Sequence, residues 1–85
     1  MPEISRFFGI IIMMWFNDHG EPHFHVRYGE RRAKVAIESG AVSGDLPPRA
    51  RALVVEWAAL HRQELLENWG LLRTRRPPRP VAPLE

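Results

Sequence analysis

The continuous apolar run at residues 10–16, IIIMMWF, limits the folds open to this chain more than any other stretch. Its length and its isoleucines suit a β-strand, and a strand with no polar alternation has to be covered on both faces. Periodicity alone leaves a buried helical segment as the alternative. We take the run as the central strand of a sheet. A bilayer crossing needs about 20 residues, so the run is too short to span a membrane. Pro2 and Glu3 stand where a secretion signal carries a basic leader, and the run passes straight into Asn17, Asp18 and His19 instead of a small-residue cleavage site. The expected location is the cytoplasm, with no membrane partner. The chain has no cysteine, which excludes disulfides, thiolate chemistry and cysteine-held zinc.

The next stretch, residues 17–28, reads NDHGEPHFHVRY and places His19, His23 and His25 within seven positions. Gly20 and Pro22 between them punctuate a turn, one admitting positive φ and the other fixing φ near −65°. In the strand that returns from this turn, His23, His25 and Arg27 share one face, and Phe24, Val26 and Tyr28 share the other. Gly29-Glu30 reads as a tight connection. Residues 31–38 then alternate Ala33, Val35 and Ile37 against Arg32, Lys34, Ala36 and Glu38, so that strand has one wet side. Residues 3–8 form a short strand or an extended lead-in, and residues 41–43 make a small edge strand at best.

Asp45, a candidate cap, and Pro47-Pro48 open a helix. Residues 49–69 hold neither glycine nor proline. At about 100° per residue, Ala50, Val54, Trp57, Ala58, His61, Leu65, Asn68, Trp69 and Leu72 fall on one side, the stripe of a helix laid on a sheet. The expected fold is therefore α+β: an antiparallel three- or four-stranded β-meander packed against one long C-terminal α-helix, as a single compact domain over residues 1–72. A domain of this size buries only about 60% of the surface of its unfolded chain. Leu53, Leu60 and Leu66 lie off the stripe and are candidates for contact with a second copy in a homodimer or with another partner. Isolated exposed leucines are the ordinary alternative. Residues 73–85 form a basic Pro/Arg-rich tail, extended or mobile unless it folds back through Val81 and Leu84.

The net charge of +2 is uneven: residues 1–72 carry eight basic and nine acidic side chains, residues 73–85 four arginines and one glutamate. Three roles are open to the histidine turn. One is acid–base cleavage of RNA without a metal, with His23 and His25 as base and acid and His61 in support, since histidine serves both proton roles near neutrality. A second is nucleic-acid contact without chemistry, through Arg27, Arg32 and Lys34 with Arg73, Arg75 and Arg76 of the tail. A weaker alternative is metal ligation by His19, His23 and His25, or by Asp18 in place of His19. The plain structural role is a solvated sheet face whose histidines meet neighbouring acids, and a satisfied core imidazole in the case of His61. No cofactor is expected. The sequence carries no glycine-rich phosphate loop, HExxH or serine-nucleophile motif.

Three separated segments, MPEISRFFGI, NDHGEPHFHVRYGE and the helix from GDLPP to ENW, closely resemble the small bacterial family known as domain of unknown function 4160. The resemblance runs from Met1 to about Trp69 and includes Pro2, Asn17, Asp18, His19, His23, His25, Trp57, His61 and Trp69. Met13, Met14 and Trp15 depart from it, standing where more polar or tyrosine-rich residues are usual, as does Gly70 after Trp69. It implies a small regulatory or toxin–antitoxin-like protein whose partner is RNA, DNA or a small cognate protein. From the sequence, a purely structural interaction module is the third reading, and whether the chain is an enzyme is left open.

Overall fold

The computed structural model describes residues 3–16 and 18–85. Met1, Pro2 and Asn17, three positions of the family resemblance, lie outside the described residues. The described chain forms five strands, β1 (Glu3–Phe7), β2 (Ile10–Met13), β3 (His23–Tyr28), β4 (Arg31–Ala36) and β5 (Val42–Gly44), followed by two helices, α1 (Pro48–Leu60) and α2 (Arg62–Arg73). All four strand pairings are antiparallel and the order follows the chain, β1-β2-β3-β4-β5.

This corrects the expected three- or four-stranded meander and single long helix. The lead-in becomes β1 because Phe8 and Gly9 both take positive φ, 51° and 78°, and close a two-residue hairpin onto β2. Residues 42–44 pair with β4 as β5. The apolar run supplies only β2, and the middle of the sheet is β3. The helix divides at His61, whose φ of −118° leaves the helical region although no glycine or proline is present. A straight rod over residues 48–73 would measure about 39 Å at ~1.5 Å per residue, longer than the molecule's greatest extent of 34 Å. The division lets both halves bury their stripe.

Register decides the two faces of the sheet. Phe7, Ile10, Ile12, Phe24, Val26 and Val35 point to one face and join the core. Trp57 of α1 lies over it, its ring 5.4 Å from that of Phe7 and 5.6 Å from that of Phe24. Ala50, Val54 and Ala58 of α1, and Leu65, Trp69 and Leu72 of α2, complete the buried stripe. No side chain caps α1, and Asp45 instead pairs with Arg31 at 3.2 Å.

Residues 73–85 are packed against the domain. Val81 is buried in the core with Leu84 against it, and the Val81 amide donates to the Ile4 carbonyl on β1. The Trp57 indole donates to the Ala82 carbonyl, while Asn68 donates to the Arg79 carbonyl and accepts from its amide. Backbone groups that a proline-rich segment cannot satisfy in a ladder are thus taken up by side chains of the helices.

Candidate functional site

The long connection from β2 to β3 brings Asp18 against the start of β3. One oxygen of its carboxylate, Oδ2, lies 2.9 Å from His25 Nε2 and 3.3 Å from His23 Nε2. The imidazoles stand at alternate positions of one strand, so their rings share a side, 5.2 Å apart and nearly perpendicular. Trp15 lies edge-on to His25 at 5.4 Å, and Trp69 of α2 closes over His23 at 5.1 Å. His23 is consequently only 5% exposed, while the side chain of His25 keeps 27% of its surface open.

The tautomer of His23 follows from its neighbour. Its Nδ1 is 2.8 Å from the Glu21 carbonyl, which can only accept, so Nδ1 carries the hydrogen and donates. Nε2 is then the ring nitrogen that faces Asp18. His25 Nε2 donates to that same carboxylate oxygen. Three ligating atoms, from Asp18, His23 and His25, lie within 4.8 Å of one another.

Beside this cluster is an open recess of about 230 Å³, lined by Trp15, Asp18, His19, Trp69, Leu72, Arg73 and Arg75. Arg75 enters it from the end of α2 with φ of 61°. The Arg76 amide bonds the Leu71 carbonyl and the Arg75 amide the Leu72 carbonyl, the closing pattern that normally takes glycine where Arg75 stands. Replacing Arg75 by glycine is expected to raise stability by about 0.5–1 kcal/mol by relieving this conformation, read as a higher urea midpoint at unchanged slope, while removing one cation from the recess.

The sheet face carrying the cluster also carries exposed cations. Arg27 is directly opposite Arg32, and His25 opposite Lys34. Arg6, farther along, is satisfied by Glu3 through two hydrogen bonds of 2.9 and 2.7 Å, and these bonds hold the Glu3 carboxyl below its ordinary range. Among the described residues Arg27, Arg32 and Lys34 have no acidic partner.

His61 stands apart from the cluster. Its Nδ1 pairs with Glu64 at 2.6 Å and its ring lies against Trp57 at 5.5 Å, at the break between the helices. His19 is exposed on the rim of the recess, outside the group of three ligating atoms. Arg73 and Arg75 reach the recess, whereas Arg76 lies beside Glu67 and Arg79 on another surface. Leu53 and Leu66 are partly buried against the core, and Leu60 is 66% exposed. Trp69 is buried in the core, as the helix stripe implies, and with Trp15 it also walls the recess, a role that spacing alone does not mark. Asp18, seven positions before His25 across a Gly-Pro turn, was the available signal for the acid.

The sequence profile of a family described as Domain of unknown function (DUF4160) matches residues 9–70, most of the chain. No curated protein and no solved structure matches it.

Proposed function

The chain belongs to the family of domain of unknown function 4160, and from that premise we propose that it is a small regulatory protein that binds single-stranded nucleic acid. The single observation that carries this reading is the cross-strand pair Arg27 and Arg32 beside Lys34, all exposed and without acidic partners among the described residues. Like charges directly opposite on a sheet oppose folding, and a row of phosphates relieves them. Trp15, in contact with His25, leads from this face into the recess of Trp69, Arg73 and Arg75. Indole rings beside guanidinium groups are the elements with which single strands are held by stacking and by charge. In this role the chain is the nucleic-acid-contacting member of a toxin–antitoxin-like pair or a regulator acting alone.

The geometry favours binding over metal-free cleavage. Cleavage asks two imidazoles to reach one phosphodiester, and His23 is enclosed with its Nδ1 committed to a backbone carbonyl.

Fluorescence anisotropy with a labelled single-stranded oligonucleotide tests the proposal. The logarithm of the association constant should fall linearly with the logarithm of salt concentration. The combined change Arg27→Ala, Arg32→Ala and Lys34→Ala should reduce the slope by about 2, at ~0.7 per phosphate contact on a single strand. An unchanged slope, or no association at low salt, would refute it.

A further inference from the structure

We infer that Asp18, His23 and His25 form a binding site for a divalent first-row transition ion. The inference goes beyond nucleic-acid binding and does not depend on it. Its starting point is the convergence of three side chains on one spot: one ligating atom from each of Asp18, His23 and His25 lies within 4.8 Å of the others. The Glu21 carbonyl accepts from His23 Nδ1, which leaves Nε2 as the ring nitrogen facing the Asp18 carboxylate oxygen 3.3 Å away. The same oxygen lies 2.9 Å from His25 Nε2. His23 is buried under Trp69, so its ring is held in this orientation.

The donor set and its dimensions suit a metal. Two imidazole nitrogens and one carboxylate oxygen are ligands of zinc and its first-row neighbours and not of calcium or magnesium, which take oxygen almost exclusively. Ligands held ~2.0–2.1 Å from a tetrahedral ion stand about 3.3 Å from one another. The two distances to Asp18 Oδ2, 3.3 and 2.9 Å, are close to that spacing. The third requirement is support behind the ligand. A metal-bound histidine usually donates its other ring nitrogen to a carbonyl or carboxylate, which fixes its orientation. His23 does this through Nδ1 to Glu21. Two of the ligands come from one rigid strand and the third from the preceding connection, so an ion here ties that connection to the sheet. Asp18 also lines the recess containing Arg73 and Arg75, so an ion on its carboxylate is reachable from solvent and has room for water or an anionic oxygen.

Zinc is the probe for the test, applied to the full chain first stripped with chelator. Isothermal titration calorimetry should give one zinc per chain, and thermal melting should move upward with zinc concentration. Asp18→Asn and His25→Ala, at partly exposed positions that the core does not need, should each weaken zinc binding by at least about 100-fold, above the 10–100-fold loss usual for an outer-shell partner. Nitrogen-15 spectra of the histidine rings should show Nε2 of His23 and His25 shifting on zinc addition while the ring of His61 stays in place. Absence of stoichiometric zinc uptake would overturn the inference. Uptake undiminished in both variants, or a shift confined to His61, would overturn it equally by placing the ion elsewhere.

Discussion

Replacing Trp57 by alanine is expected to destabilise the domain by about 3–5 kcal/mol, the largest effect of any single substitution considered. The indole has no exposed surface and packs between Phe7, Phe24 and His61, joining the outer hairpin, the central strand and the helix break through one side chain. Its Nε1 also donates to the Ala82 carbonyl at 2.8 Å, so the cavity opens beneath the C-terminal segment too. Domains of this size have a total stability of about 5–15 kcal/mol, and a substantial unfolded population follows at modest urea concentration. Trp57→Phe separates the contributions, since it keeps most of the aromatic contact and loses the hydrogen bond, worth about 1 kcal/mol, along with part of the ring volume. Urea denaturation of the three proteins measures both. A loss below about 1 kcal/mol for Trp57→Ala would mean that Trp57 is not the junction of the core.

The second large effect is expected at Asn68. This side chain, 2% exposed, donates to the Arg79 carbonyl at 2.8 Å and accepts from the Arg79 amide at 2.7 Å, a two-sided match that only a carboxamide can make. Asn68→Asp retains the acceptor and turns the donor into a second acceptor facing the Arg79 carbonyl in a buried place. The expected cost is about 2–4 kcal/mol, from the lost bond, the unsatisfied carbonyl and the buried charge. Hydrogen exchange locates the damage. The Val81 amide, bonded to Ile4, should lose its protection before the amides of β3 and β4 do. Equal loss across the whole sheet, or none, would contradict the view that Asn68 holds the C-terminal segment in place.

Much of the helical packing was legible in the sequence, because burial on a helix repeats with a fixed angular period. Ala50, Val54, Trp57, Ala58, Leu65, Asn68, Trp69 and Leu72 all lie on the side that the spacing implies and all are buried. The break at His61 was not legible. It follows from the length of the rod relative to the domain it covers, and neither glycine nor proline marks it. The first hairpin escaped for a related reason. Phe8 adopts a positive φ that bulky residues seldom take, so Gly9 alone looked like an interruption and not half of a turn.

At the site, strand alternation reaches as far as the common face of His23, His25 and Arg27. It says nothing of Trp69, forty-odd positions later, which encloses His23 and leaves His25 partly exposed. The choice between Asp18 and His19 likewise depends on the path of the connection, which brings only the aspartate against both imidazoles. For residues 73–85 the apolar Val81 and Leu84 marked where the segment folds back, and both pack on the core, whereas its polar anchors, main-chain groups of Arg79, Val81 and Ala82, are announced by no side-chain pattern.

That packing bears on the exposed rims of the sheet. A sheet whose strands follow chain order has two rims, each a template of free peptide groups. One rim is the three-residue β5, too brief to recruit a neighbour effectively. The other belongs to β1, where Val81 occupies the Ile4 carbonyl and the proline-studded segment offers few amides of its own for onward pairing. The segment around Val81 thus shields part of the β1 rim, and loosening it uncovers the Ile4 carbonyl as well as lowering stability.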